Sequence, residues 1–301
     1  MKKNVKWFLN KLPYVKGLYQ EHLRYYKNSC FEPGHFYSPI VDVEEVKKDE
    51  KRIWNEITEK ELKDINLNID NQKSFLKSIE EYYSLIPFED TKTENLRYYF
   101  NNEYFSYTDA ILLFGLMNHV KPKKIIEVGS GYSSALMLDV NAMFFDNTIE
   151  LNFIEPYPDR LNSLLTGTQN NCNVLQNKVQ EIDVDFFKQL QAGDILFIDS
   201  SHISKSGSDL NYLLFKVLPI LQDGVYIHFH DIFYPFEYPK EWVYGGRNWN
   251  ENYLIRAFLM NNEKYTICLF SHYLHLHFPD LFEKMPLTKK NFGGGLWLLK
   301  N

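Results

Sequence analysis

Residues 124–134 read KIIEVGSGYSS, and the fold turns on this stretch. Ile125 and Ile126 lead into Glu127 and Val128, and the run stops on Gly129, Ser130 and Gly131. A short apolar run that ends on closely spaced glycines reads as a buried parallel strand closing in a tight turn. Glycine there tolerates positive φ and lets a ligand approach the backbone. Residues 133–140 are helix-compatible, so the turn delivers the chain to a helix N-terminus. The unpaired amides of that terminus favour a negative or electron-rich ligand group.

Working outward toward the C-terminus, the pattern is regular. Strands are expected at 124–128, 150–154, 172–176, 194–198, 225–230, 265–270 and 295–299. Helical patterns at about 134–144, 159–165, 184–191 and 208–221 separate the first five. Such alternation implies a parallel sheet covered on both faces. The last two strands are expected to be joined through a loop and to pair antiparallel at one edge.

Toward the N-terminus the elements are helical. Ser106 followed by Asp109 resembles a capping box for a helix over 107–120, whose run AILLFGLM is apolar nearly all round and therefore buried. Asp70 is a plausible N-cap for a helix through Ile86, stopped by Pro87. Residues 43–64 read as a charged, solvated helix with a thin apolar stripe. Residues 31–39, FEPGHFYSP, cannot be a regular helix and read as an ordered loop or lid. In 1–28, Val5, Phe8, Leu12, Val15, Tyr19 and Leu23 recur at helical spacing. Docking of that stripe on the main domain, contact with a membrane surface and homo-oligomerisation all remain open. The expected division is a helical extension and lid over 1–99 and one domain over 100–301.

The 301 residues are 45% hydrophobic and 24% charged, ordinary for a globular chain with a sizeable core. Cys30, Cys172 and Cys268 lie far apart with no CxxC, which suits a reducing compartment and no structural zinc site. No run is long and apolar enough for a transmembrane helix, and no signal peptide is apparent, so a cytoplasmic location is expected. The net charge of −6 divides unevenly, because 1–28 hold seven Lys/Arg against Glu21 alone. The acidic remainder argues against nucleic-acid binding.

In a sheet of this kind ligands bind beyond the carboxyl ends of the strands, near the switch point. Chemistry-bearing residues stand at four such ends: Glu127 with Gly129–Ser130–Gly131, then Glu155, then Asp199, then His228, His230 and Asp231. Glu155 sits 24 residues after Gly131 and can accept from both hydroxyls of a ribose. A dinucleotide fingerprint needs a third Gly or Ala where Ser134 stands, and no phosphate-binding Lys follows the turn. Glu127 would repel a pyrophosphate yet could hold an ammonium group.

At this point the chain resembles the class I S-adenosylmethionine-dependent methyltransferases, and within them the bacterial methyltransferase 24 group. The phrases FEPGHFYSP, FSYTDA, IEVGSGYSS, FIDSSHISKSGSD and HDIFYPFEYPKEW carry the resemblance. It implies an α/β, Rossmann-like, mostly parallel seven-stranded sheet with an antiparallel edge strand and an N-terminal helical extension. It also implies that Glu127, Gly129, Ser130, Gly131, Tyr132, Ser133, Glu155, Val179 and Asp199 surround S-adenosylmethionine. Lys178 and Val179 stand where the family usually has an acidic adenine contact.

Related metal-dependent O-methyltransferases place carboxylates where Asp199 and the His230–Asp231 pair fall. That set would suit Mg²⁺, Mn²⁺ or Fe²⁺, with Zn²⁺ not excluded. Asp199 and Asp231 thus join His202, the candidate general base, as candidate catalytic residues. The alternative for these residues is loop hydrogen bonding, and for His228 a satisfied core position. His272, His275 and His277 read as polar positions on an edge hairpin. Residues 233–249 carry Tyr234, Tyr238, Trp242, Tyr244 and Trp249, either a lid over a sugar or ring, or ordinary packing. The expected reaction is O-methylation of a small-molecule or glycan hydroxyl. An NAD-dependent oxidoreductase and a non-catalytic cofactor-binding assembly protein are the alternatives.

Overall fold

The computed structural model of the chain describes Trp7, residues 12–165 and residues 171–301. Val5 and Phe8 of the N-terminal stripe, with Lys2, Lys3, Lys6 and Lys11, lie outside the described residues. By internal contacts the chain falls into two units. One comprises Met1–Ile53 with Lys240–Asn248, and the other Trp54–Pro239 with Trp249–Asn301. Between Ile53 and Trp54 the chain passes from the first unit to the second. The reason is that Trp54, Leu62, Leu76, Ile79 and Tyr98 are all buried, and a buried apolar side chain holds its segment in the unit.

The larger unit carries a seven-stranded sheet in the order β3-β2-β1-β4-β5-β7-β6. Its strands are β1 (Lys124–Val128), β2 (Glu150–Ile154), β3 (Cys172–Leu175), β4 (Ile195–Ile198), β5 (Tyr226–Phe229), β6 (Tyr265–Phe270) and β7 (Leu296–Lys300). The first five pair parallel. β7 lies antiparallel between β5 and β6, so the antiparallel strand sits one place in from the edge. Strand order reverses at β1 and β4, which puts the ligand crevice beyond Val128 and Ile198. The Tyr107–Val120 helix is buried on nearly every side, as its uniformly apolar sequence requires.

Several boundaries differ from the sequence pattern for identifiable reasons. The expected Ser106–Asp109 capping box does not form. Ser106 makes no side-chain cap, and Asp109 turns inward to accept from the Gly294 amide. Asn68, left-handed at φ 52°, starts the Ile69–Glu80 helix in place of Asp70, and its amide donates to the Ile267 carbonyl. The expected helix over 43–64 breaks into Val43–Lys48, Glu50–Ile53 and a 3₁₀ turn at Asn55–Thr58. Trp54 is buried there and donates its indole N–H to the Tyr238 carbonyl. Residues 208–221 begin as a helix capped by Ser208, widen into a π turn over Leu213–Val217 and end in a 3₁₀ turn containing Pro219, which has no amide to continue the ladder.

The three C-terminal histidines are helical, not on a hairpin. Ser271–His277 forms a helix after β6, and the His275 ring is stacked against Phe282 and Phe292. The aromatics of 233–239 are packed into the fold: Tyr234 and Tyr238 are buried, and Tyr234 donates its hydroxyl to the Glu59 carbonyl. In the smaller unit Tyr244 donates to Glu50 and Arg247 stacks over Trp242. Ordinary packing therefore accounts for Tyr234 and Tyr238. Among the described residues no helix is long and apolar enough to cross a membrane.

Candidate active site

The turn after β1 is locked by its neighbours. The Gly129 amide donates to the Ile154 carbonyl at 3.0 Å, and the Asp199 amide donates to the Val128 carbonyl at 2.8 Å. These bonds draw the ends of β1, β2 and β4 together. Gly129 takes φ +82°, and a Cβ on it would lie 1.8 Å from the Asp199 carbonyl oxygen. No side chain fits that position. Beyond it opens a cavity of about 520 Å³ lined by Gly129, Glu155, Tyr157, Val179, Asp199 and Lys205, among others.

Glu155 stands at the β2 end of this cavity. One carboxylate oxygen accepts from the Ser130 amide at 3.0 Å and the other from the Tyr157 amide at 2.8 Å. The side chain is thus fixed in orientation, while each oxygen keeps a further lone pair. Glu127 lies beneath the turn, fully buried. It accepts from Ser133 at 2.5 Å and from the Ser134 hydroxyl, and Ser134 in turn accepts from the Gly131 amide at 2.9 Å. Burial pushes the Glu127 carboxyl up to about 8, against the pull of the serine hydroxyls. Its carboxylate is engaged by the helix's first turn. Tyr132 bonds hydroxyl to hydroxyl with Tyr99 at 2.9 Å and stacks on Tyr104, whose ring lies under the Arg160 guanidinium.

A second cluster assembles beside Asp199 from distant segments. His202, left-handed at φ +59°, offers its carbonyl to the amides of Asn250 and Glu251. Its Nδ1 lies 2.7 Å from Glu251 Oε2. Its Nε2 lies 3.3 Å from Asp199 Oδ1 and 3.8 Å from Asp231 Oδ2, and the Trp249 ring covers one face at 4.3 Å. Asp231 is also left-handed, at φ +57°. Its carbonyl accepts from the buried Asn252 amide group, which also accepts from the Phe233 amide. Two non-glycine residues in this region, both at one site, mark a backbone that its surroundings over-determine.

Asp109 approaches from the Tyr107–Val120 helix. The loop 293–295 wraps it: Gly293 takes φ +71°, and a Cβ there would lie 2.5 Å from Asp109 Oδ1. Burial raises the Asp109 carboxyl to about 6, although His230 works against the rise. Burial alone would lower the His202 imidazole, but hydrogen bonds from Asp199 and Glu251 lift it well above its ordinary value. His230 is raised too, because Asp231, Asp199 and Asp109 outweigh its burial. Burial works to raise Asp199, yet His230 and His202 hold it below the usual carboxylate range. The cluster is an alternation of imidazoles and carboxylates. His228 lies deeper, in β5, stacked on Phe197 and Trp297 with neither ring nitrogen hydrogen-bonded, and burial lowers it well below its ordinary value. It is a neutral ring in an aromatic stack, not the hydrogen-bonded core histidine expected.

These residues do not fit a divalent ion. The His202 imidazole already faces Asp199 and Asp231, and His230 Nε2 lies 3.7 Å from Asp231 Oδ1. Among the described residues no three His, Cys, Asp or Glu side chains are arranged to hold a metal. The expected ligand set of Asp199, His230 and Asp231 is therefore corrected to an ion-paired cluster.

A family description of a methyltransferase domain, Methyltransf_24, matches residues 126–232, from β1 through the residue after Asp231. An uncharacterised protein of Archaeoglobus fulgidus is 37% identical over 163 residues, 54% of this chain and 74% of that one. The chain belongs to the methyltransferase 24 family. It is a class I methyltransferase, which sets aside the oxidoreductase and assembly-protein alternatives. Among solved structures, a plantazolicin methyltransferase in complex with a desmethylPZN analog and SAH shows 14% identity at a TM-score of 0.39, covering 85% of this chain and 91% of its own. A TDP-rhamnose 3'-O-methyltransferase of calicheamicin biosynthesis shows 16% identity at 0.38, covering 62% and 85%.

Of the sequence-derived candidates, Gly129, Glu155, Val179 and Asp199 line one cavity, and His202, His230 and Asp231 gather beside Asp199. Sequence reasoning missed Glu251 and Asn252, which follow the aromatic segment without any periodic signal, while Trp249, read as part of that segment, covers one face of His202. It also read Asp109 as a helix cap. The one clue was an acidic residue in the first turn of a mostly apolar, buried helix.

Proposed function

We propose that this methyltransferase transfers a methyl group to a hydroxyl of a small molecule or sugar, with His202 as the general base and without a metal. The observation that carries the reading is the Glu251–His202 pair set against Asp199, a wall residue of a nucleoside-sized cavity. About 520 Å³ is within the range of small-ligand pockets. The cavity's residues fit the cofactor: Gly129 lets the β1 turn close against the Asp199 carbonyl at the cavity wall, and Glu155 offers fixed acceptors to two ribose hydroxyls. S-adenosylmethionine would supply the activated methyl group. Ser130 and Gly131 would present the turn to its aminoacyl part, with Glu127 holding that turn through Ser133 and Ser134.

Glu251 fixes the His202 tautomer and ring orientation, so that Nε2 points toward Asp199 and the cavity edge. As the acceptor oxygen takes the methyl group, His202 Nε2 would receive the hydroxyl proton. Asp199 and Asp231 stabilise the imidazolium so formed. The remaining barrier falls by placement of the two reactants, the usual main contribution when no covalent step intervenes.

Titration calorimetry with S-adenosylhomocysteine, paired with His202→Ala, tests this reading. The wild type is expected to bind. The variant should bind equally well yet lose about 100-fold or more in transfer rate. Absence of binding to the wild type, or a full rate in the variant, would overturn it.

A further inference from the structure

The Pro13–Asn28 helix belongs to the smaller unit, and none of its residues is buried. At 100° per residue its two faces separate cleanly. Tyr14, Tyr25, Leu18, Val15, Tyr26, Tyr19 and Leu23 occupy one half of the wheel, together with His22. Lys16, Lys27, Gln20, Arg24, Gly17, Asn28 and Glu21 occupy the other. Tyr14, Leu18, Tyr19, Leu23 and Tyr26 expose much of their area, as does Trp7. An exposed apolar face of this size marks an interaction site.

Charge selects the occupant. Residues 1–28 carry a net +6, while the rest of the chain carries −12. A second copy would bring the same positive segment against this one, and like charges oppose that approach. The face is also rich in tyrosine, whose ring and hydroxyl suit a boundary between hydrocarbon and water. We propose that this helix lies in the surface of an anionic lipid bilayer, with the Leu/Tyr face toward the acyl chains and Lys16, Arg24 and Lys27 among the headgroups. The acidic body is repelled by the same surface, so the helix alone makes the contact.

The test uses the full chain and co-sedimentation with two vesicle preparations: phosphatidylcholine alone, and phosphatidylcholine with about one third phosphatidylglycerol. Wild type should partition onto the anionic vesicles about tenfold more strongly, and salt should release it. Leu18→Glu with Leu23→Glu should abolish binding at unchanged thermal stability, because neither side chain is part of a core. Lys16→Glu with Lys27→Glu keeps the apolar face and should erase the preference for anionic vesicles. The proposal is overturned if wild type stays in the supernatant with both preparations, or if the Leu18/Leu23 variant binds as well. It is equally overturned if that variant only abolishes a concentration-dependent doubling of mass.

Discussion

The proposed cofactor side and the proposed acceptor side of the cleft are built in opposite ways. The first is made by one continuous passage, β1, the glycine turn and the helix that follows, with Glu155 reaching across from β2. The second draws on residues 109, 199–202, 230–231, 249–252 and 293–295, brought together from loops and from the first turns of two helices. The difference teaches where precision comes from. On the cofactor side it is local backbone geometry, and on the acceptor side it is a network in which each side chain fixes another.

If that contrast holds, the largest effect belongs to Gly129→Ala. The added methyl would sit 1.8 Å from the Asp199 carbonyl on a backbone at φ +82°. Either β1 and β4 separate or the turn rearranges, at about 3 kcal/mol of stability. S-adenosylhomocysteine affinity should drop by at least about 100-fold, which is the same order of free energy. Calorimetry and thermal unfolding read the two consequences. Near-normal binding would show that the turn is not the cofactor cradle.

Glu251→Gln should give a smaller and different effect. The amide oxygen can still accept from Nδ1, so orientation survives while the charge goes. Glu251 is among the groups that lift the His202 imidazole above its ordinary value. In the proposed mechanism the unprotonated ring is the base, so the rate should rise with pH through that elevated value in the wild type. Without the Glu251 charge the rising limb moves to lower pH, and the plateau falls by about tenfold because a weaker base accepts the proton. KM for the methyl donor should not change. A pH–rate profile with an unmoved limb would mean that His202 does not carry the titration.

The same contrast explains what the sequence made legible. β1, β2 and β6 lie where alternation and apolar runs set them, because the pattern of a buried strand is written in its own residues. The turn, Glu155 and Asp199 could be found for the same reason, as each stands at a strand end. Glu251 could not, because its significance depends on His202, 49 residues away. Asp109 was misread because a capping box and a buried carboxylate begin with the same residue types. Only the glycine loop at 293–295, remote in sequence, tells them apart. The metal expectation failed on spacing too fine for a sequence to show, since the imidazole of His202 already faces both carboxylates.

The smallest effect concerns Glu127, the least exposed member of the cofactor side, and it is read in stability. Its carboxyl is raised from 4.5 in the free group to about 8 by burial. The folded state therefore holds a proton that the unfolded state releases. Between those two values folding takes up a proton, so stability is highest below about pH 4.5 with respect to this group and declines as pH rises toward 8. Glu127→Gln removes the titration and keeps an acceptor for the Ser133 and Ser134 hydroxyls. The variant should show a flatter dependence of Tm on pH in that window. At its alkaline end the variant should be the more stable protein, by on the order of 1 to 3 kcal/mol. A wild-type curve as flat as the variant's would show that Glu127 is charged in the folded protein. The serine pair would then be stabilising a buried carboxylate instead of a buried acid.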